Sequence, residues 1–193
     1  MILSICIPTY NRINQLDNCL NSILISKKNV DDFNFEICIS DNNSEKNTEE
    51  IIQKYNKELK IKFNRNKKNF GFAINAIKTV SMAQGEFSWM IGDDDLILPQ
   101  TLLKLKNLLQ NNSDNDYFFI NSYHLNSIYL GQFSSPFDTN NLNFENMKKM
   151  SPLKISRSAP FWEVIDPKVS WDFLIGIYLS IFRTEKWLKS IDV

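Results

Sequence analysis

The chain has 193 residues, of which 43% are hydrophobic and 23% are charged. This composition is typical of a folded domain with its own core and excludes an intrinsically disordered chain. The 22 basic and 22 acidic side chains give a formal net charge of zero. The chain therefore lacks the overall basic field that attracts proteins to nucleic acid, and we expect no nucleic-acid partner.

The three cysteines, Cys6, Cys19 and Cys38, have neither CxxC spacing nor an even count. Cys6 and Cys38 lie inside apolar runs, which favours reduced core residues and therefore a cytoplasmic chain. No basic segment precedes the short apolar run that ends at Pro8, so we predict no signal peptide. The apolar run from Phe173 to Phe182 is about half the ~20 residues that a membrane-spanning helix needs. This run is compatible with a peripheral contact at the inner face of the membrane.

Short apolar segments alternate with segments of helical periodicity along the first 120 residues. The pattern predicts strands at Ile2–Ile7, Phe35–Ser40, Leu59–Phe63, Phe87–Ile91 and Tyr117–Ile120. It predicts helices capped by Asn11 or Asn14, then over Thr48–Asn56, Ala73–Ala83 and Pro99–Leu109. This regular alternation indicates an α/β fold with a doubly wound, mostly parallel sheet and helices on both faces.

Three consecutive aspartates, Asp93, Asp94 and Asp95, follow the fourth strand and Gly92. Carboxylates that emerge together repel one another unless a cation or the donors of a ligand lie between them. Mg²⁺ and Mn²⁺ prefer oxygen ligands, and Mg²⁺ is usually held by one or two carboxylates plus substrate phosphates. The sequence therefore predicts a Mn²⁺ or Mg²⁺ site here. The alternative is an acidic turn in which Asp95 or Thr101 caps the next helix.

Polar side chains also follow the first two strands. They are Thr9, Tyr10, Asn11 and Arg12 after the first strand, and Asp41, Asn42 and Ser44 after the second. In doubly wound sheets, ligands bind outside the carboxyl ends of the strands. We therefore expect these residues and the three aspartates to converge on one crevice.

The pattern weakens after Ile120. Residues 122–160 are rich in asparagine, serine and aromatic residues with little periodicity, which suggests long connections or a lid rather than a second domain. We therefore predict a single domain over residues 1–193. Lys148 and Lys149 fit a solvated face or a phosphate contact. His124, the only histidine, fits either an ordinary polar position or a catalytic base.

Four motifs occur in order at the predicted strand ends. They are SICIPTYNR at residues 4–12, ISDNNS at 39–44, NFG at 69–71 and GDDD at 92–95. Over roughly residues 1–120 they resemble the family 2 glycosyltransferases of the GT-A fold. The variant WMIGDDD resembles bacterial enzymes that add sugars, often deoxyhexoses, to surface polysaccharide or O-antigen precursors. The resemblance implies transfer of a sugar from a nucleoside-diphosphate sugar to a saccharide or lipid-linked saccharide, with Mn²⁺ or Mg²⁺ as the cofactor.

The resemblance also implies roles for the residues that match the family's motifs. Asp41 would accept a hydrogen bond from the nucleotide base, and Asp93 would approach the ribose or a metal-bound water. Asp95, with Asp93, would bind the metal that bridges the diphosphate. The rest of the substrate pocket would be lined by Thr9, Tyr10, Arg12, Asn43 and Asp94. For Asp41 the alternative is a turn or capping contact with its neighbours Asn42 and Ser44.

One part of the family's pattern is missing. Inverting members usually carry a catalytic carboxylate in a Glu-Asp pair after the metal motif, and no such pair follows here. The acceptor-side half, residues 121–193, would then be incomplete beside the nucleotide-sugar-binding half, residues 1–120. Substitute bases would be Glu163, Asp166 or Asp172. An incomplete half would instead give a truncated, catalytically silent binding domain that exposes apolar surface around Trp171–Phe182 and self-associates.

Overall fold

The computed structural model describes residues 1–120, 122–124, 136–142, 148–149 and 180–191. The strands are β1 (Leu3–Thr9), β2 (Phe35–Asp41), β3 (Ile61–Arg65), β4 (Phe87–Met90), β5 (Tyr117–Phe119), β6 (Tyr123–His124), β7 (Lys148–Lys149) and β8 (Ser180–Arg183). The helices are α1 (Ile13–Lys27), α2 (Thr48–Tyr55), α3 (Phe72–Ser81), α4 (Thr101–Asn111) and α5 (Thr184–Ile191). The strands and helices predicted in the first 120 residues are present, although β3 begins at Ile61 rather than Leu59.

Six strands form one sheet in the order β3-β2-β1-β4-β8-β5, and β6 pairs with β7 in a separate ribbon. β1 runs parallel to β2 and β4, and β2 runs parallel to β3. The register places Thr9 beside Asp41 and Asp41 beside Arg65, so these strands end at the same edge of the sheet. The predicted α/β fold with a doubly wound, mostly parallel sheet is confirmed.

Apolar side chains cover both faces of the sheet. On one face Ile5 packs in a core with Leu16 and Leu20 of α1 and with residues of α2 and α4. On the other face Cys6 packs with Val80 and other residues of α3, and α5 lies against this second core. Every residue of β1 and β2 is buried. Burial on both faces explains why these strands are almost continuous apolar runs rather than alternating ones.

The strand β8 lies between β4 and β5 and runs antiparallel to both. Ile181, at its centre, is fully buried, and its neighbour Phe182 is only 9% exposed. The apolar surface that an incomplete half would expose around Trp171–Phe182 is therefore covered at Ile181 and Phe182, because a strand flanks β8 on each side. Residues 171–179 lie outside the described ranges.

Residues 136–142 pack against α1, outside the sheet. Asn21 donates a side-chain hydrogen bond to the carbonyl oxygen of Phe137 at 2.9 Å, and the amide of Phe137 donates to Asn18 Oδ1 at 2.7 Å. Phe137 itself is buried. Two asparagines one turn apart on α1 thus satisfy both backbone groups of one residue and attach this part of the second half of the chain to the first.

Candidate functional site

The strand ends form a crevice at the carboxyl edge of the sheet. The Thr9 hydroxyl at the end of β1 donates a 2.7 Å hydrogen bond to Asp93 Oδ2, in the turn that follows β4. The amide of Asn42, after β2, donates to the carbonyl oxygen of Thr9 at 2.9 Å. The structure therefore brings together the polar residues that follow the first, second and fourth strands. Tyr10, which is 42% exposed, lies next to them in the chain.

Arg12 bridges two of the three aspartates. Its Nη1 donates to Asp94 Oδ2 at 2.7 Å and to Asp93 Oδ1 at 3.3 Å. The two carboxylates raise the pKa of Arg12, Asp93 contributing most. Burial raises the pKa of Asp93, although the hydrogen bond from Thr9 and the charge of Arg12 oppose this shift. A cation supplied by the chain itself therefore offsets the repulsion that the sequence predicts between these carboxylates.

Asp95 points into the turn rather than toward Arg12. The amide of Gly92 donates a 2.7 Å hydrogen bond to Asp95 Oδ2, and the amide of Asp95 donates to the Gly92 carbonyl at 3.1 Å. Burial is the main reason that the pKa of Asp95 rises to about 6. A Cβ atom at position 92 would lie 2.7 Å from Asp94 Oδ1 and 3.1 Å from Asp95 Oδ2, so a larger residue there would have to displace these two carboxylates.

The acidic turn predicted as the alternative is present, but its predicted capping role is wrong. The N-cap of α4 is Gln100, whose side chain makes no capping hydrogen bond. The N-cap of α1 is likewise Arg12 without a side-chain cap, rather than Asn11 or Asn14. Neither N-cap side chain accepts from the first amides of its own helix, and at α4 the Ser26 hydroxyl of α1 accepts from the Leu102 amide at 3.0 Å instead. At α1 the N-cap side chain instead binds the acidic cluster.

The donor set fits a divalent cation of the hard, oxygen-binding type. One guanidinium nitrogen lies within hydrogen-bonding distance of both Asp93 and Asp94, so their oxygens converge on one point. Two carboxylates completed by substrate phosphates are a common Mg²⁺ arrangement. In the described part of the chain, no three carboxylate, histidine or cysteine side chains are arranged to hold a metal. The metal role given to Asp93 and Asp95 stays a prediction.

Asp41 makes the turn and capping contacts that were the alternative to a base contact. Its carboxylate is fully buried and accepts hydrogen bonds from the Ser44 amide at 3.0 Å, the Ser44 hydroxyl at 2.5 Å and the Thr48 hydroxyl at 3.1 Å. Arg65 Nε lies 3.8 Å from the same carboxylate. Asn43, at the tip of this turn, is exposed with a positive φ of 70°. The base contact of Asp41 and the substrate contact of Asn43 stay predictions.

Asn11 joins the loops that follow β1 and β2. Its φ is 54°, in the left-handed region that asparagine tolerates better than most residues. Its amide donates to the Ser44 hydroxyl at 2.8 Å, and its Oδ1 accepts from the Glu45 amide at 2.8 Å. These bonds fix the backbone immediately before Arg12. The sequence marks Asn11 as a polar residue after a strand but gives no sign of this link.

Three buried asparagines connect α3 to the strand ends. Asn75 donates to the carbonyl oxygens of Ser40 at 2.9 Å and of Thr9 at 3.4 Å. Asn66 donates to Asn75 Oδ1 at 2.8 Å and to Asn42 Oδ1 at 3.0 Å. Sequence reasoning missed Asn66 and Asn75. The available signal was a polar residue on the otherwise apolar inner face of α3, where an unpaired amide would be costly.

The candidates for a catalytic base lie largely beyond the described residues. Glu163, Asp166 and Asp172 all fall in ranges that the structure does not describe. His124 lies in β6, where its backbone pairs with Lys148 of β7. The assignment of a base, and the choice between a surface and a phosphate role for Lys148 and Lys149, therefore stay predictions.

Comparison with known proteins identifies the family. The model of Glycosyl transferase family 2 matches residues 4–166, and the chain belongs to that family. A relative in Salmonella typhimurium is the abequosyltransferase RfbV, which is 41% identical over 118 residues, or 59% of this chain and 34% of RfbV. The chain therefore spans about a third of the length of RfbV.

Solved structures support the same fold. The match to the structure of residues 1–349 of S. aureus TarS in complex with UDP covers all of this chain and 49% of that solved chain, with 21% identity and a TM-score of 0.67. The Pyrobaculum calidifontis mannosyltransferase PcManGT, solved with GDP-mannose and Mn²⁺, covers 61% of this chain and 34% of that chain, with 18% identity and a TM-score of 0.51. The predicted GT-A fold is confirmed.

Proposed function

We propose that the chain binds a nucleoside-diphosphate sugar in the crevice at the carboxyl ends of β1, β2 and β4, and transfers the sugar to a hydroxyl acceptor. The observation that carries this proposal is the contact between Thr9, Arg12 and Asp93, which joins two of the family's motifs across the sheet. Family membership supports the reaction class. The TarS complexes with UDP and UDP-GlcNAc support the class of donor.

Each residue of the crevice has a separate role in binding the donor. Thr9 fixes the orientation of Asp93, and the exposed Tyr10 offers an aromatic surface beside it. Arg12 presents a planar guanidinium that suits a diphosphate. Asp41 stabilises the turn that carries Asn43. Because the Asp41 carboxylate is buried in this turn, it would contact the nucleotide base only if the turn opened. A bound Mn²⁺ or Mg²⁺, held by the carboxylates of the Asp93–Asp95 turn, would neutralise the charge that develops on the departing diphosphate.

The acceptor and the stereochemistry belong to the same proposal. An acceptor-side carboxylate, Glu163, Asp166 or Asp172, would deprotonate the acceptor hydroxyl, and the sugar would be transferred with inversion. The acceptor would be a saccharide or lipid-linked saccharide of bacterial surface polysaccharide or O-antigen synthesis. The similarity to an abequosyltransferase supports a deoxyhexose as one class of donor sugar.

The cysteines support a cytoplasmic location. Cys6, Cys19 and Cys38 are all free and buried, which supports a reducing compartment and hence the cytoplasm. None of the helices in the described ranges is long and apolar enough to span a membrane. Contact with the inner face of the membrane would therefore involve the surface of the domain or residues outside these ranges.

Calorimetric titration tests the donor site. UDP, CDP, GDP and dTDP are each titrated into the chain with Mn²⁺ present, and we expect one of them to bind. Replacing Thr9 with valine keeps the shape but removes the hydroxyl that orients Asp93, so Thr9→Val should weaken binding by about tenfold. The matched control is Thr79→Val, which removes a hydroxyl that bonds only within α3.

Three results are informative. No binding of any of the four nucleotides, or equal binding by Thr9→Val and the unaltered chain, would contradict the proposed donor site. Binding accompanied by release of nucleotide from the sugar donor in the presence of acceptor would support the full reaction. Binding without any turnover would instead favour the catalytically silent domain.

A further inference from the structure

The guanidinium of Arg12 holds the position that a cation shared by Asp93 and Asp94 would need. A single nitrogen, Nη1, lies 3.3 Å from Asp93 Oδ1 and 2.7 Å from Asp94 Oδ2. The Asp93 side chain is only 7% exposed, whereas Arg12 is 50% and Asp94 55% exposed. Arg12 is therefore held by one buried carboxylate, that of Asp93, and by one solvent-exposed carboxylate, that of Asp94.

We propose that Arg12 is an internal counter-ion that keeps divalent cations off the carboxylates of the Asp93–Asp95 turn, through its hold on Asp93, until the diphosphate of a nucleotide draws its guanidinium away. Cation binding then depends on nucleotide binding. The inference rests on the proposed function, since it describes how the donor site is loaded. Nothing in the family assignment or in the roles given above to Arg12 requires this competition.

Arg12 is the partner that can move. Its backbone is fixed, because its carbonyl oxygen accepts the 2.9 Å hydrogen bond from the Leu16 amide in the first turn of α1. Asn11, immediately before it, is fixed by its bonds to Ser44 and Glu45. Only the half-exposed side chain is free to swing on this rigid base. Asp93, by contrast, is held in place by the Thr9 hydroxyl at 2.7 Å.

Competition follows from the shared oxygens and from the charges. A divalent cation on Asp93 and Asp94 would need oxygens that now accept hydrogen bonds from Arg12, and it would repel the guanidinium beside it. The diphosphate of a nucleotide offers Arg12 a bidentate anionic partner in exchange. After the exchange, the carboxylates lie beside the cation and Arg12 lies beside the diphosphate, so every charged group has a partner of opposite charge. We therefore expect nucleotide and cation to raise each other's affinity by the same factor.

The test measures binding of Mn²⁺ rather than activity. Free Mn²⁺ gives an electron paramagnetic resonance signal that disappears on binding, so its affinity for the chain is obtained without nucleotide and then with UDP, CDP, GDP or dTDP, after correction for the Mn²⁺ that each nucleotide binds in the absence of protein. For the unaltered chain we expect the best of these nucleotides to increase Mn²⁺ affinity at least tenfold. For Arg12→Gln we expect Mn²⁺ without nucleotide to bind at least tenfold tighter than to the unaltered chain.

Two further variants separate this effect from a general change of charge. Lys104→Gln removes one positive charge from an exposed position on α4 and should leave Mn²⁺ affinity unchanged. Arg12→Lys keeps the charge but loses the planar fork, so its Mn²⁺ affinity should fall between those of the unaltered chain and Arg12→Gln. It also provides a second reading if Arg12→Gln does not fold, as judged by its thermal unfolding.

The outcomes distinguish this inference from the proposed function. Equal Mn²⁺ affinity of Arg12→Gln, Lys104→Gln and the unaltered chain without nucleotide would overturn the counter-ion role, even if nucleotide binds normally. Failure of all four nucleotides to bind the unaltered chain would overturn the proposed function and the exchange with it. Tighter Mn²⁺ binding by both Arg12→Gln and Lys104→Gln would show a general charge effect and also overturn the inference.

Discussion

At the scale of single residues, the acidic turn combines two carboxylates that pair with Arg12, those of Asp93 and Asp94, with a third, that of Asp95, that does not. Asp93 accepts hydrogen bonds from Thr9 and Arg12, whereas Asp95 accepts one from the Gly92 amide. Burial raises the pKa of Asp95 to about 6, so its ionised form is held in the folded protein at a cost. Such a cost at a binding site is expected when the ligand, rather than the fold, requires the charge.

Replacing Asp95 with asparagine should therefore stabilise the protein at neutral pH. Because the pKa of Asp95 lies above that of the unfolded chain, the folded state binds more protons between about pH 4 and pH 6, and stability falls as pH rises through this window. Asp95→Asn removes this loss, so the free energy of unfolding at pH 7.5 should increase by about 1–3 kcal/mol. Urea denaturation at pH 7.5 and pH 4.5 measures the difference, which should shrink at the lower pH.

The control for this variant is Asp114→Asn, at an exposed position after α4. It changes the same chemical group where burial contributes nothing, so its unfolding free energy should follow that of the unaltered chain at both pH values. An Asp95→Asn variant that is less stable at pH 7.5 than at pH 4.5, relative to the unaltered chain, would contradict the role of burial.

The sequence allowed the residues of the crevice to be predicted, but not their mutual contacts. Thr9, Arg12 and Asp93 were expected at one edge because parallel strands end together. The contact between Arg12 and Asp93 joins residues 81 positions apart, and no local pattern encodes which cation would neutralise the aspartates. The buried turn contacts of Asp41 were visible as an alternative, because aspartate followed by Asn-Asn-Ser is typical of such turns.

At the scale of secondary-structure elements, α3 is coupled to the strand ends through Asn75. This side chain is only 2% exposed, donates to carbonyl groups of β1 and β2, and accepts from the Ser40 hydroxyl at 2.8 Å. Asn75→Ala would remove the buried amide that links these groups, and it should lower the free energy of unfolding by about 2–4 kcal/mol. Urea denaturation measures this loss.

The matched control is Asn107→Ala, the same substitution at an exposed position of α4. It should change the free energy of unfolding by about 0.5 kcal/mol or less, as is usual for surface sites. If Asn75→Ala were no more destabilising than Asn107→Ala, the hydrogen bonds of Asn75 would not contribute to holding α3 against the strand ends.

Elements with strong periodicity were predictable, whereas β8 was not. The early strands are apolar runs bounded by turn residues, and their order follows from the strand-helix alternation. β8 has four residues, follows a long stretch without periodicity, and inserts antiparallel between two strands that precede it by more than 60 residues. Its position depends on pairing between distant segments, which composition and spacing do not specify.

At the scale of the whole molecule, the sheet built by residues 1–120 depends on a strand that lies about 60 residues later in the chain. β8 supplies partners to both β4 and β5, and Arg183 at its end bonds to Glu86 at 2.9 Å and to Asp116 at 3.1 Å. The same guanidinium lies 4.7 Å from the ring of Phe87. The first 120 residues therefore do not contain the complete sheet.

A chain shortened to residues 1–124 should accordingly be less stable and self-associate. Without β8, the edges of β4 and β5 are left unpaired and the apolar surface around Phe118 is exposed. Sedimentation velocity and urea denaturation of residues 1–124 and 1–193, at equal concentration, measure both effects. A monomeric shortened chain with an unchanged unfolding midpoint would show that β8 contributes nothing to the stability of the crevice.

The insertion of β8 also constrains how the protein folds during its synthesis. The hydroxyls of Ser88 in β4 and Thr184 after β8 lie 2.8 Å apart although 96 positions separate them. At roughly 5–20 residues per second, a ribosome needs on the order of 5–20 seconds to add these residues. During that interval the edge of β4 that later pairs with β8 has no partner strand. Until β8 emerges, this edge of β4 is therefore open to non-native strand pairing, a hazard of synthesis that the finished fold no longer carries.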